Sequence, residues 1–314
     1  MSRDRAETSP LPSWGTEQLA RRLVRPGADS DKYRRGVLGL RTGSTAYPGA
    51  AVLGAEAAWR TGIGLVRYTP PIDDAPPALG LPSPAAAVLA ARPETVFAAD
   101  SAEARSKCDA WLIGSGTDPG QRSFSEREAL RAILSAEAPV VVDAGALAEV
   151  LGATPNAPAV LTPHRGEFLA LWRALDLGDR PTGWPGERDR PPGEGELAEA
   201  AAMLAARLGA TVLLKGSLTI AATPGGFRAA AGPATPWLAT AGTGDVLAGI
   251  LGALVATHAA AVRDDPELLG PLAASAAVLH DDAARIAARE NSPITALDVA
   301  HAIPEAVAAA LADA

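Results

Sequence analysis

The chain has 314 residues and a formal net charge of −8, with 48% hydrophobic but only 4% aromatic residues. The hydrophobic content excludes a largely disordered chain, and the acidic balance excludes a nucleic-acid partner, because a phosphate backbone requires a basic face. The single cysteine, Cys108, excludes an internal disulfide. Since the sequence has no signal peptide and no transmembrane segment, we expect a cytoplasmic protein without a membrane partner.

A polar, proline-containing segment opens the chain, and we predict a flexible arm over residues 1–30 that becomes ordered on a partner subunit. From residue 31 to residue 314 strand and helix signals alternate, which predicts a single domain. The predicted strands are 36–40, 65–68, 96–97, 110–113, 140–142, 159–161, 212–214 and 219–222. The predicted helices are 48–61, 123–135 (capped by Ser125), 166–175, 197–208 and 244–256, with a surface insertion at 178–196. This alternation is typical of an α/β fold with a largely parallel sheet, which binds ligands at the carboxyl ends of its strands.

The strongest chemical signal is the turn Gly242-Thr243-Gly244-Asp245, which opens a long apolar helix. Free N–H groups at a helix N-terminus bind anions, and glycine lets a phosphate approach the backbone. A carboxylate at Asp245 would repel that phosphate, unless it accepts the proton of a hydroxyl that attacks the phosphorus. We therefore expect Asp245 to be a catalytic base, with a simple helix cap as the alternative.

The sequence around this turn, WLATAGTGDVLAGI (237–250), resembles the signature of ribokinase-like proteins. With four further segments it is similar to the NAD(P)H-hydrate dehydratase family, whose bacterial members are ADP-dependent. These segments are GSTAYPGAA (43–51), IGSG (113–116), LTPHRGEF (161–168) and LKGSLT (214–219). All five occur in the family's order, and the resemblance extends over nearly the whole chain.

The resemblance implies a ribokinase-like three-layer α/β/α fold and a metabolite-repair lyase. Such an enzyme converts (S)-NADHX or (S)-NADPHX, the hydrated and redox-inactive cofactors, to NADH or NADPH. ADP phosphorylates the hydroxyl of the hydrate and phosphate is then eliminated, so AMP and phosphate are the other products. ADP is thus a co-substrate, Mg²⁺ the expected companion ion and a homotetramer the expected assembly. Because the family's fused epimerase domain has no room before Lys32, we expect a separate epimerase.

The resemblance also implies a role for individual residues. Asp245 is the base and contacts the hydrated dinucleotide. The other expected contacts to that substrate are Ala50, Gly116 and His164. The expected nucleotide contacts are Lys215, Gly216, Ser217, Leu218, Thr219, Gly242, Thr243 and Gly244.

At several of these positions the residue type itself supports a binding role, but each also has a purely structural explanation. Ala50 lies at a helix start, where backbone amides can face an anion, although helix packing also places an alanine there. Gly116 follows a strand, where the missing side chain lets a ligand approach the backbone. The alternative is that the glycine only makes a tight turn. Lys215 supplies a point charge for phosphate, but an exposed hairpin lysine has the same pattern. His164 can donate to an amide or a phosphate, whereas a histidine in a loop is usually a surface residue.

One segment departs from the family pattern. Many relatives carry a second acidic residue in the stretch that here reads DAGAL (143–147), where this chain has Gly145. We expect the remaining acid, Asp143, to act through magnesium-bound water, and the metal ligands stay unassigned.

Two other functions compete with the dehydratase. One is a plain small-molecule kinase of the same fold, of the hydroxyethylthiazole-kinase type. The other is a non-catalytic nucleotide-binding module. The position of Asp245 argues against the second, because a protein that only binds phosphate gains nothing from a carboxylate beside it.

Overall fold

A single mixed β-sheet organises the computed structural model, which describes residues 11–72, 78–152, 155–179 and 193–312. Its strands are β1 (Val37–Arg41), β2 (Leu65–Tyr68), β3 (Val96–Phe97), β4 (Ala110–Ile113), β5 (Val140–Val142), β6 (Ala159–Leu161), β7 (Thr211–Leu214), β8 (Thr219–Ala222) and β9 (Arg228–Ala231). Within the described ranges their order is β3-β2-β1-β4-β5-β6-β7-β8-β9. The strands from β3 to β7 are parallel, and β8 and β9 continue the sheet as antiparallel neighbours.

Helices cover both faces of this sheet. They are α1 (Thr16–Ala20), α2 (Pro48–Thr61), α3 (Pro84–Ala91), α4 (Ala102–Ser106), α5 (Phe124–Leu134), α6 (Arg165–Ala174), α7 (Glu194–Leu208), α8 (Thr243–Thr257), α9 (Ala259–Asp264), α10 (Leu269–Ala287) and α11 (Ala296–Ala312). In the part of the chain that the structure describes, no helix is both long and apolar enough to span a bilayer.

Alternation along the strands divides the buried side chains into two cores. On β1, Leu38 and Leu40 pack in the core that includes α2, α8, α10 and α11. On β4, Trp111 and Ile113 point to the opposite face and pack with α5, α6 and α7. The architecture is therefore three-layered, α/β/α, as the alternation of strand and helix signals predicted.

Most predicted elements are present, and the differences have local causes. Strand β9 was not predicted, because the alanine-rich run 228–231 has little β propensity and pairs only through the turn after β8. Ser125 does not cap α5; the cap is Ser123, whose hydroxyl accepts the Glu126 N–H. Helix α7 begins three residues earlier than predicted, at Glu194. The predicted insertion at 178–196 lies largely outside the described residues.

The described part of the predicted N-terminal arm packs against its own domain. Trp14 N donates to Ala230 O over 2.8 Å, at the outer edge of β9. Leu19 is fully buried in the core beside α10 and α11. Because these apolar side chains bury surface within the same chain, residues 11–23 need no partner subunit to become ordered.

Candidate active site

Four polar side chains meet at the carboxyl ends of the neighbouring strands β4, β5, β6 and β7. Ser115 follows β4, Asp143 follows β5, Thr162 follows β6 and Lys215 follows β7. Carboxyl ends of parallel strands lie at the same edge of a sheet, so residues far apart in sequence become neighbours. The N-terminus of α8, which carries Asp245, adjoins this edge.

Asp143 is the centre of the polar cluster and is only 2% exposed. Its Oδ2 accepts a hydrogen bond from Ser115 Oγ over 2.8 Å, and its Oδ1 accepts one from Thr162 Oγ1 over 2.6 Å. Lys215 Nζ donates to the same Oδ1 over 2.9 Å. Burial alone would raise the pKa of Asp143, but the ammonium and the two hydroxyl groups outweigh it and hold that pKa below its usual value.

Lys215 connects Asp143 to the base of the predicted reaction. Burial would lower the pKa of Lys215, but Asp143 dominates and raises it, with smaller contributions from Glu167 and Asp245. A Cβ placed on Gly244 would lie 3.6 Å from Lys215 Nζ, so the ammonium borders the first turn of α8. Lys215 is therefore a largely buried cation between two carboxylates, rather than an exposed hairpin lysine.

Asp245 has a pKa raised to about 6, first because of burial and second because of the nearby Asp143 charge, with Lys215 opposing both. Among the described residues no hydrogen-bond donor to its carboxylate is found, and the N-cap position of α8 has no side-chain cap. Asp245 is therefore not a helix cap. A poorly solvated, unpaired carboxylate with a pKa near neutrality has the properties of a general base.

The backbone before Asp245 forms a cradle for an anion. Gly242 has φ of +88°, and a Cβ there would lie 2.6 Å from Leu53 Cδ1, so only glycine fits. Within the described ranges, the N–H groups of Gly242 and Gly244 have no protein acceptor. These free donors at the positive end of a 15-residue helix suit a phosphate group.

A cleft of about 840 Å³ opens beside this cradle. Of the predicted nucleotide contacts, it is lined by Lys215, Gly216, Ser217, Thr219, Thr243 and Gly244. Gly242 and Leu218 do not line it, because Gly242 faces Leu53 and the Leu218 side chain packs against the core. The volume suits a ligand of nucleotide size.

His164 lies on this cleft and also caps a helix. Its Nδ1 accepts the N–H groups of Gly166 and Glu167 at the start of α6, while Glu167 accepts the His164 N–H. That arrangement leaves Nε2 as the donor of the neutral ring, on a side chain that is 61% exposed. Just beyond the ends of β6 and β7, His164 and Lys215 form an isolated parallel bridge, so His164 lies on the nucleotide side of the site.

Ala50 and Gly116 contact each other on a separate part of the site. A Cβ on Gly116 would lie 2.3 Å from Ala50 Cβ, so the loop after β4 rests directly on the start of α2. Ala50 lies one turn before Gly54, whose added Cβ would lie 3.9 Å from the Asp245 carbonyl oxygen. A small cavity of about 90 Å³ lies beside them, lined in part by Gly43, Ser44, Tyr47, Thr117 and Arg122. The helix that carries Ala50 thus packs close to the first turn of α8, which carries Asp245.

The described residues do not fit a protein-held magnesium ion. Both carboxylate oxygens of Asp143 already accept hydrogen bonds from Ser115, Thr162 and Lys215. No group of three or more metal-ligating side chains occurs in the part of the chain that the structure describes. In this structure Asp143 forms a hydrogen-bonded ion pair with Lys215, and its action through magnesium-bound water stays a prediction.

Steric crowding explains why a glycine occupies position 145. A Cβ at this position would lie 2.1 Å from the Thr117 carbonyl oxygen, and the Gly145 carbonyl accepts a hydrogen bond from Arg122 Nη2 over 2.8 Å. The loop that carries Gly116 therefore occupies the space that an acidic side chain would need.

Three polar residues of the site had no role in the sequence prediction. Ser115 and Thr162 would have been found from the strand order, since each follows a strand next to β5. His280 lies inside α10, where nothing local marks it. Its Nε2 is buried without a hydrogen-bond partner in the described structure, and burial lowers its pKa to about 4.

Comparison with known proteins identifies the family. The family model for NAD(P)H-hydrate dehydratase matches residues 38–305. The ADP-dependent (S)-NAD(P)H-hydrate dehydratase of Xanthomonas campestris is 35% identical over 238 residues, covering 74% of this chain and 76% of that protein. The crystal structure of the ADP/ATP-dependent NAD(P)H-hydrate dehydratase from Bacillus subtilis, co-crystallised with ATP/Mg²⁺, superposes with a TM-score of 0.75. It is 27% identical and covers 96% of this chain and 100% of that one.

The chain spans about half the length of some curated relatives. The bifunctional NAD(P)H-hydrate repair enzyme Nnr of Mycobacterium tuberculosis is 39% identical over 259 residues, which cover 81% of this chain and 48% of that protein. The resemblance inferred from the five motifs is confirmed, and so is the ribokinase-like fold. The chain belongs to the NAD(P)H-hydrate dehydratase family.

Proposed function

We propose that this protein is an ADP-dependent (S)-NAD(P)H-hydrate dehydratase that restores NADH or NADPH from (S)-NADHX or (S)-NADPHX. The observation that carries the proposal is the unpaired Asp245 carboxylate, with a pKa of about 6, beside the free N–H groups of Gly242 and Gly244. An anion cradle, a cation and a base at one point provide what phosphate transfer to a hydroxyl requires.

The proposed first step is a phosphate transfer. The terminal phosphate of ADP lies on the Gly242–Gly244 amides, with Lys215 neutralising its charge. Asp245 accepts the hydroxyl proton of the hydrate while the hydroxyl oxygen attacks the terminal phosphorus. The bond from that phosphorus to the bridging oxygen breaks, and AMP leaves with the bond's electrons.

The proposed second step is an elimination. The carbon–oxygen bond of the phosphorylated hydrate breaks, and phosphate leaves with its electron pair. A neighbouring ring carbon loses a proton to the departing phosphate or to solvent water, which restores the ring double bond and hence the reduced nicotinamide. Phosphate is thus only a temporary leaving group, and the net reaction is a dehydration.

We assign substrate contacts on the same basis. Ala50 and Gly116 support the hydrated dinucleotide at the side of Asp245 formed by α2. His164 contributes its Nε2–H where the two substrates meet, because it borders Lys215 and the nucleotide cleft. The nucleotide is held by the predicted contacts that line the cleft, namely Lys215, Gly216, Ser217, Thr219, Thr243 and Gly244.

The wider setting also belongs to the proposal. We propose a single catalytic domain, a homotetrameric assembly and a cytoplasmic location. ADP as the preferred co-substrate is supported by the name of the Xanthomonas relative. We propose that magnesium accompanies the nucleotide phosphates, as in the Bacillus subtilis structure co-crystallised with ATP/Mg²⁺, and we assign it no protein ligands.

A product analysis tests this function against its two alternatives. Hydrated NADH is supplied with ADP or ATP, and the absorbance band of reduced nicotinamide is followed together with AMP or ADP and phosphate. The dehydratase restores the band and releases free phosphate in equal amounts. A plain kinase would leave a stable phosphorylated product without restoring the band, and a binding module would consume no nucleotide; either result rejects the proposal.

A further inference from the structure

The N-terminal segment forms part of the wall of the 840 Å³ cleft. Ser13, Trp14, Gly15 and Thr16 all line the cleft, although they precede the first strand and the region that the family model matches. Trp14 is half-buried and its ring packs edge-on against Phe227, with 5.4 Å between the ring centroids. An aromatic side chain is thus held at the wall of the cleft by a segment outside the known motifs.

The segment is anchored at several points. Ala230 N donates to Pro12 O over 3.1 Å and Trp14 N donates to Ala230 O over 2.8 Å, which adds a short parallel pairing to the edge of β9. Trp14 Nε1 donates to the buried Ser275 Oγ over 2.9 Å. These bonds fix the indole relative to both β9 and α10, so it is a preformed part of the cleft.

The lining of the cleft carries charges of both signs. Lys215 and the free N–H groups of α8 attract phosphate. Helix α10 adds Asp281 and Asp282, with Arg285 as their neighbouring cation. Arg285 Nε donates to Asp281 Oδ2 over 2.9 Å, so one carboxylate charge remains on α10 and disfavours phosphate there.

Such a lining would orient a nucleotide. With its phosphates on the α8 cradle, its uncharged nucleoside would face the carboxylates of α10 and Trp14. Thr16 makes a side-chain hydrogen bond with Asp282, which places a hydroxyl and a carboxylate where ribose hydroxyl groups can be bound. The indole of Trp14 offers an apolar surface of the kind that bases pack against.

We propose that residues 13–16 form the nucleoside-binding wall of the cleft and that Trp14 contacts the base or ribose of ADP. The proposal rests on the nucleotide site described under the proposed function. It assigns a binding role to a segment that the sequence alone marked as an arm. It also divides the cleft into a phosphate end and a nucleoside end, which separate probes can address.

Calorimetric binding of ADP, AMP and inorganic pyrophosphate to wild type and to Trp14→Leu tests the proposal. We expect ADP and AMP to bind on the order of tenfold more weakly to the variant, because a base contact is lost. Pyrophosphate should bind equally to both proteins, since it occupies only the phosphate end. Trp59→Leu is the matched control: Trp59 is also half-buried and donates Nε1 to a buried hydroxyl, Thr95 Oγ1, but lies outside the cleft.

Hydrogen exchange provides a readout that needs no variant. We expect ADP to slow exchange of the amides of residues 13–16 in wild type, and pyrophosphate to leave it unchanged. Equal ADP affinity for wild type and Trp14→Leu, equal losses for Trp14→Leu and Trp59→Leu, or no protection by ADP would each overturn the wall. If wild type bound no ADP at all, the proposed function itself would be wrong. If wild type bound ADP but repaired no hydrate, the proposed function would be wrong and the role of residues 13–16 in nucleoside binding would still hold.

Discussion

Lys215 Nζ lies 2.9 Å from Asp143 Oδ1, and the same ammonium acts electrostatically on Asp245 at the start of α8. One cation therefore serves two carboxylates with different roles. Asp143 accepts three hydrogen bonds and holds Lys215 in place, whereas Asp245 has no hydrogen-bond partner among the described residues and keeps a raised pKa. The pKa values of these two neighbouring acids are thus shifted in opposite directions. A low pKa suits the proposed anchor of the ion pair, and a raised pKa suits the proposed base.

Lys215→Ala should raise the Michaelis constant for ADP, because the variant loses the cation at the phosphate end. It should also lower the free energy of unfolding by about 3–5 kcal/mol, since Asp143 becomes a buried, unpaired carboxylate. Steady-state kinetics and denaturant unfolding measure the two effects. The double variant Asp143→Asn/Lys215→Met should recover much of the stability but not the nucleotide affinity; an unchanged Michaelis constant in both variants would place phosphate binding elsewhere.

The pH dependence of turnover should follow Asp245. Its pKa of about 6 means that the carboxylate is protonated in acid and cannot accept the substrate's proton. The rate should therefore rise with pH and level off above about pH 7, with its midpoint near 6. A profile measured at saturating ADP that stays flat between pH 5 and pH 8 would contradict this assignment.

The same carboxylate should make the fold less stable at higher pH. The pKa of Asp245 is about 6 in the folded chain against an ordinary 3.8, so the folded state binds the proton more tightly than the unfolded state. Its stabilising contribution to the free energy of unfolding is therefore fully present below pH 3.8 and is lost as the pH rises through about 6. We expect Asp245→Asn to gain stability relative to wild type between pH 4 and pH 7, measured by thermal melting; a constant difference across this range would argue against a raised pKa.

Gly145→Ala should disturb the substrate side of the site and leave the nucleotide side intact. The added Cβ would lie 2.1 Å from the Thr117 carbonyl oxygen, so the loop carrying Gly116 must move. We expect the Michaelis constant for the hydrate to rise about tenfold or more while ADP affinity stays the same. Gly152→Ala is the control, because its nearest neighbour would be 3.9 Å from the new Cβ. Equal Michaelis constants for the hydrate in the two variants would show that Gly145 does not position the substrate loop.

The sequence predicted the fold through local patterns and the site through motifs, and both had limits. Apolar runs marked the strands up to β8, but β9 consists mostly of alanine and depends on pairing. The Gly242 to Asp245 turn carries its chemistry in consecutive residues, so it could be recognised directly. The partners of Asp143 come from three separate strands, and the role of Trp14 depends on packing against α10, which only tertiary structure supplies.

Repair of hydrated NADH by wild type and by Asp245→Asn tests the central assignment most directly. Turnover is followed at saturating ADP by the reduced-nicotinamide absorbance, and ADP affinity is measured separately by calorimetry. We expect wild type to restore the band with one AMP per NADH, and the variant to bind ADP normally while its turnover falls by about 100-fold or more. A variant that repaired the hydrate at the wild-type rate would show that Asp245 is not the base.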